Sequence, residues 1–310
     1  MSGERGFALL AVMLVLALLG VIAGEFAFSM RLEATMVRSY REEVVGRHLV
    51  EAAVQQAIRE IVTDSQIVGV DDGLLTFYRL PIQPLPRLAR SEVPLGRGTF
   101  SYRIDDEEAR VNLNTAPPDR LDRLLAALGM DKQARDVIND SLQDWKDPNE
   151  LYRANGAESD YYLKLPVPYR ARNANLQDLA ELLQIRGVTP ELYFGRNGEE
   201  GLVKVLTVWG SGQVNINTAS PTVFKALGLS DAEVSEIVQS RATAPYAAVP
   251  PRFTGRGLSA SSRTFRVEAE GFVDGQPTAR GLAIVQKRSE AGGLATGVVV
   301  SWNPAAGGRR

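Results

Sequence analysis

The chain has 310 residues, 45% of them hydrophobic, and a formal net charge of −2. That is enough apolar surface for one large core or two modest ones, and the near-neutral balance argues against a general binder of nucleic acid or anionic lipid, which needs a basic surface. There is no cysteine and a single histidine, His48. This removes disulfides, thiol nucleophiles, cysteine-bound zinc and any histidine-based triad built within the chain.

The first element is apolar. Phe7 to Gly24 carries neither charge nor proline. At about 1.5 Å per helical residue it reaches roughly 27 Å, close to the hydrocarbon thickness of a bilayer. The helical pattern then continues. From Glu25 to Val62 there is no proline, and Gly46 is the only glycine. Val37, Tyr40, Val44, Val45, Leu49, Ala52, Ala53, Ala57, Ile58, Ile61 and Val62 recur at helical spacing. The economical reading is one helix over 7–62, apolar over 7–24 and amphipathic over 25–62. A cleaved signal peptide, with Val21-Ile22-Ala23 as the cleavage region, and an unprocessed anchor are the other readings of the same segment.

A Gly6-Phe7 junction ahead of such a helix resembles the N-terminus of type IV pilins and pseudopilins. The resemblance implies a leader over 1–6, cleavage by a prepilin peptidase between Gly6 and Phe7, and methylation of the Phe7 amine. Ala11 stands where most of that family carries glutamate. A carboxylate inside lipid persists only with a partner, and its absence suits a subunit with no neighbour on that side, such as one at a fibre tip.

Beyond Val62, Gly69 and Asp71-Asp72-Gly73 read as turns and Leu74 to Leu80 as a short strand. Pro81, Pro84, Pro86 and Pro94 exclude a central strand from the next stretch. Gly98 to Asp105 alternates Phe100, Tyr102 and Ile104 against Ser101 and Arg103, a half-buried strand. The acidic run Asp105-Asp106-Glu107-Glu108 reads as an exposed corner.

The texture then turns helical. V-N-L-N-T-A begins at Val111 and V-N-I-N-T-A at Val214, each followed by a short helix, a glycine and a second helix. Thr115 is the expected N-cap of the first copy, and Ser230 to Glu233 forms a capping box in the second. Each copy looks like a helix-hairpin-helix module. The hairpins, Gly129-Met130-Asp131 and Gly228-Leu229-Ser230-Asp231, place an aspartate where a phosphate would approach, so both copies read as scaffold. Between them, Asp144, Asp147, Asn149, Asn155, Glu158 and Asp160 gather hard oxygen donors on one loop system, with Gly156 for a turn. This is a candidate calcium site with spacing unlike an EF-hand. A solvated turn is the plain alternative. Trp145, Tyr161 and Tyr162 are expected to pack this region.

D-W-x-D-x-N from Asp144, N-G-A-E-x-x-Y-Y from Asn155 and Y-x-x-x-N from Tyr169 resemble the helical domain of the minor pseudopilin K family of type II secretion. The resemblance runs over nearly the whole chain and also implies calcium in this domain. The last part returns to strands. Arg263 to Phe272 alternates, Asp274-Gly275 turns, Thr278 to Gln286 returns, and Val298 to Trp302 adds a final strand, with Gly307 to Arg310 frayed.

The expected fold is therefore α+β, a pilin-like long N-terminal helix packed on an antiparallel sheet, with a large inserted all-α domain containing two helix-hairpin-helix or SAM-like repeats. The sheet domain is expected over 63–110 and 258–310, and the insertion over 111–257. The resemblance implies a structural, non-enzymatic protein of the inner membrane with its soluble part in the periplasm. It implies association with minor pseudopilins I and J and other pseudopilins, and a place at the tip, initiating and capping pseudopilus assembly for export of folded proteins. A membrane-anchored receptor for DNA uptake, or an enzyme built on the repeats, is the competing reading.

Overall fold

The structure is a computed structural model that describes residues 3–196, 198–289 and 295–304, with side chains described for all of these except 3–6 and 8. The tail Gly307–Arg310, expected to be frayed, and residues Met1–Ser2 of the expected leader lie outside the described residues.

Helix α1 runs from Gly3 to Ile61 without interruption. It is long and apolar enough to cross a membrane by length and composition. Only its last part packs on the rest of the chain. Val37 and Tyr40, at 62% and 66% exposure, project freely, while Leu49, Val50, Ala53, Val54, Ala57 and Ile61 are buried. The apolar stripe is thus longer than the surface that this chain offers it.

Strands β1 (Ile67–Asp71) and β2 (Leu74–Leu80) form a hairpin. Gly69 lies inside β1 rather than in a turn, and the turn falls at Asp72 and Gly73, both with positive φ. The proline-rich stretch contributes only a two-residue bridge at Gln83–Pro84 and the three-residue β3 (Val93–Leu95), which forms a sheet edge. Proline is tolerated there because an edge strand need not donate outward. Strand β4 (Gly98–Asp106) follows with the expected alternation.

The chain then enters a helical region. Its principal helices are α2 (Pro118–Ala127), α3 (Lys132–Lys146), α4 (Pro221–Ala226) and α5 (Asp231–Thr243). It returns through β5 (Thr264–Val273), β6 (Gln276–Ser289) and β7 (Ala295–Asn303). The main sheet is antiparallel in the order β7-β6-β5-β4-β3. Strands β4 and β5 are neighbours although the whole helical region separates them in sequence. Their register pairs Ile104 with Val267 and Tyr102 with Ala269. This lines the helix-facing side with alternating apolar residues. Small residues let α1 come close: a Cβ at Gly46 would overlap the hydroxyl of Thr278, and one at Gly271 would meet the backbone of Gly46.

Among the described residues there are two separate buried cores. One lies between α1 and the sheet and includes Leu49, Phe77, Phe100, Ile104, Phe265, Val267 and Val285. The other lies within the helical region and includes Leu124, Leu142, Trp145, Tyr162, Phe224 and Ile237.

The two V-N-x-N-T-A copies adopt the same local structure. Val111-Asn112 pairs in parallel with Leu206-Thr207, and Val214-Asn215 with Leu258-Ser259. In each copy the first asparagine accepts the backbone N–H two residues on, at 2.9 Å. The second asparagine clamps a distant segment. Asn114 accepts from Leu176 N–H and donates to its carbonyl, and Asn217 accepts from Tyr246 N–H and donates to its carbonyl. Thr115 does not cap α2. The cap position is Pro117, which makes no side-chain bond, and Thr115 turns to the carbonyl of Asn112. Ser230 and Glu233 do form the capping box.

The acidic run after β4 is not an exposed corner. Asp106, Glu107 and Glu108 are 4%, 0% and 5% exposed. They stitch the sheet to the helical region. Asp106 accepts from Asn215 at 2.9 Å, from Thr218 and Ser262 at 2.6 Å, and from Glu108 N–H at 2.9 Å. Glu107 lies between Arg110 at 2.7 Å and Arg266 at 2.5 Å. Burial pushes its carboxyl up, but the two guanidinium groups outweigh this and hold it below its ordinary value. Glu108 accepts from the N–H groups of Ser211 and Arg263. Carboxylates survive at such depth only with this density of partners.

Asp106→Ala leaves these four donors without their acceptor and is expected to cost about 3 kcal/mol or more in urea unfolding. Asp105→Ala, which removes only an ion pair to Arg103, is expected to stay within about 1 kcal/mol. Equal effects of the two substitutions would refute the stitch.

Candidate metal centre

Helix α3 carries Asp144 on its inner face near its C-terminus, fully buried. Asp147 closes the helix, its N–H bonded to the carbonyl of Gln143, and Pro148 prevents continuation. The following loop folds back over the helix end. Gly156 makes this possible by its size: a Cβ there would overlap Oδ2 of Asp144, and its φ is not positive. The loop delivers Glu158, 1% exposed, immediately before the short helix Ser159–Tyr162.

One oxygen from each of Asp144, Asp147 and Glu158 lies within 4.8 Å of the others. Both carboxylate oxygens of Glu158 are buried without a hydrogen-bond partner. Such an orphaned buried carboxylate is costly unless a ligand satisfies it. Burial first, and then the charges of Asp144, Asp147 and Glu150, push its carboxyl up to about 7, with Arg153 pulling the other way. Three converging hard oxygens fit a hard divalent cation such as calcium, which takes six to eight at about 2.3–2.6 Å and draws the remainder from backbone or water.

The remaining expected donors are placed elsewhere. Asn149 bonds the outer oxygen of Asp147 at 2.7 Å. Asn155 bonds Asp140 through both its N–H and its side chain, each at 3.0 Å. Asp160 is exposed and pairs with Lys164 at 3.2 Å. The donor loop is fixed by Glu150 and Arg186, which the sequence did not mark as donors or positioning residues. Glu150 accepts from Ser159 and Asn173 at 3.0 Å, and Arg186 donates to the carbonyl of Gly156 at 2.9 Å. Asp140 stands four residues before Asp144 on the same helix face, a signal that was available. Beneath the loop, Trp145 meets Tyr162 edge-on at 5.2 Å, and Tyr162 stacks on Tyr169 at 5.2 Å. This is the packing expected of the aromatic residues.

The other sequence-marked positions lie outside this cluster. Phe7 and Ala11 are exposed on α1, and Gly6 is part of the same helix. His48 is exposed and faces Glu51 at 3.0 Å. In the first hairpin the side chain of Asp131 accepts the N–H of Ala134, and in the second Asp231 pairs with Lys225. The N–H of Ser230 in the second hairpin is in turn taken by Glu233 at 2.7 Å.

The carboxyl of Glu158 titrates near 7 in the folded chain and at 4.5 ordinarily. A group raised in this way contributes stability that is complete below the lower value and is lost as pH rises through the higher. In chelating buffer the unfolding midpoint is therefore expected to fall between about pH 5 and about pH 8, and Glu158→Gln to flatten that fall. A wild-type midpoint that rises over this range would contradict the assignment.

Comparison with known proteins gives a consistent answer. Residues 103–195 match the family model for type II secretion system protein K. Type II secretion system protein K of Pectobacterium carotovorum subsp. carotovorum is 27% identical over 78% of this chain and 74% of its own length. The Klebsiella pneumoniae protein K is 24% identical over 92% of this chain and 91% of its own. Among solved structures, a chain of the GspK-GspI-GspJ complex from enterotoxigenic Escherichia coli shares the fold, with a TM-score of 0.59 and 17% identity, covering 88% of this chain and 98% of that one. Over 103–195 the chain thus matches the type II secretion system protein K model, over most of its length it is similar to protein K of other bacteria, and it shares the fold of the solved GspK-GspI-GspJ chain.

Proposed function

We propose that this chain caps and helps to start the pseudopilus, together with minor pseudopilins I and J, from an anchor in the inner membrane. The observation that carries this reading is the free stretch of α1. Beyond the most apolar segment, Phe26, Phe28, Met30, Leu32, Met36, Val37 and Tyr40 are all exposed, although the helix goes on to pack tightly on its own sheet. A soluble monomer rarely leaves so continuous an apolar surface uncovered. Neighbouring pseudopilin helices would be that cover, and the solved structure that shares this fold comes from a GspK-GspI-GspJ complex.

In this reading Phe7–Gly24 spans the membrane, the rest is periplasmic, and prepilin peptidase cuts between Gly6 and Phe7 before the new amine is methylated. The helical region widens the end away from the membrane, so subunits add below and not above. Ala11 suits a subunit without an upper neighbour. Calcium is held by Asp144, Asp147 and Glu158, where it ties the loop to the end of α3. The occupied hairpin amides disfavour a DNA receptor.

Mass spectrometry of the protein matured in cells with a prepilin peptidase is expected to give a methylated Phe7 start. A start at Gly24 or at Met1 would refute the processing. Val37→Asp combined with Tyr40→Asp is expected to abolish co-purification with pseudopilins I and J. The unfolding midpoint of the isolated chain should not move, because neither side chain is buried. Retained co-purification would remove the helix from the interface.

A further inference from the structure

Arg153 places a cation of its own in the acidic cluster. Its Nη1 lies 2.6 Å from Oδ1 of Asp144 and 2.7 Å from Oδ2 of Asp147. The other oxygens of these two residues are also engaged. Oδ2 of Asp144 accepts the backbone N–H of Arg153 at 3.1 Å, and Oδ1 of Asp147 accepts from Asn149. With the guanidinium seated, neither aspartate has an unengaged oxygen, and only Glu158 does. Withdrawing the guanidinium releases Oδ2 of Asp147 and leaves Oδ1 of Asp144 with only a long, shared bond from the Arg153 N–H at 3.3 Å.

The withdrawal is local. The backbone of Arg153 is tethered to Asp144 by its own N–H, so the loop keeps its place when the side chain leaves. The side chain is 42% exposed, whereas that of Asp144 is fully buried, so water is within reach of the guanidinium and not of its partner. A divalent ion and a guanidinium that share the same two oxygens are mutually exclusive by sterics and by like charge.

We propose that Arg153 is a built-in counter-cation that competes with the divalent metal for Asp144 and Asp147 and thereby sets the affinity of the site. This rests on the calcium reading of the same cluster. Loaded with metal, the loop exchanges an intramolecular ion pair for coordination. Without metal, Arg153 keeps the aspartates from repelling each other and holds the loop against α3.

The test is isothermal titration of calcium chloride into the full-length chain in detergent micelles at neutral pH, for wild type, Arg153→Gln and Arg153→Lys, with thermal unfolding in chelator beside it. Arg153→Gln should bind calcium at least about tenfold more tightly than wild type, the scale of one charge-assisted hydrogen bond removed from competition. Its unfolding midpoint in chelator should fall, and calcium should restore it. Arg153→Lys keeps the charge without the planar fork and should lie between the two. If Arg153→Gln does not fold in chelator, the lysine variant decides. Wild-type binding with unchanged or weaker affinity in the variants overturns the role of Arg153 and leaves calcium in place. No binding by any of the three chains overturns the calcium reading and the competition with it.

Discussion

The carboxylate of Asp106 is the point on which the two halves of this molecule depend. It ends β4, the last strand before the helical region, and gathers donors from the second asparagine-rich copy and from Ser262, at the approach to β5. One buried charge thus fixes where the chain leaves the sheet and where it comes back. The two glutamates that follow extend the same junction, Glu107 through Arg110 and Arg266, and Glu108 through backbone amides. Three successive carboxylates at this depth would be strongly unfavourable without such partners, so the junction forms only with them in place. The pairing of β4 with β5, and hence the surface on which α1 lies, follows from it.

The asparagine-rich copies solve the complementary problem within the helical region. That region has little regular sheet to absorb its backbone polar groups. Asn112, Asn114, Asn215 and Asn217 bond the backbone of segments far away in sequence. An amide side chain suits the task because it donates and accepts at once. The two copies lie against each other through α2 and α4, with Arg123 of the first donating to the carbonyl of Ala226 in the second. The acidic cluster sits at the end of α3 and in the loop that follows it.

Much of this was legible in the chain, for identifiable reasons. The long helix, β4 and the terminal hairpin follow from strong periodicity, and Asp274-Gly275 marks its turn with two positive φ values. Strand β1 was missed because Gly69 reads as punctuation, whereas it leaves room there for the ring of Pro245. The acidic run was misread because four consecutive carboxyl side chains look solvated, and their partners come from residues 110, 211, 215, 218 and 262 to 266, which no local pattern connects to them. In the candidate site, Asp144, Asp147 and Glu158 were marked by residue type, and their oxygens converge in the structure. Asn149, Asn155 and Asp160 share that type but are claimed by nearer partners. Arg153 escaped notice because a cation among hard donors does not resemble a ligand.

The placement of the helical region between β4 and β5 also constrains the order in which the chain can fold. The central strand of the sheet belongs to the last part made, and β6 and β7 follow it. Until these strands arrive, the inner face of α1 has only β4 and the small β1–β2 hairpin to rest on. Bringing β4 to β5 across a flexible intervening chain would carry a large loop-closure cost. A helical region that has already folded presents its two ends side by side and removes most of that cost. A helical region folded first would serve as the template on which the sheet closes, and a chain cut short before β5 would leave the inner face of α1 without the central strand of its sheet.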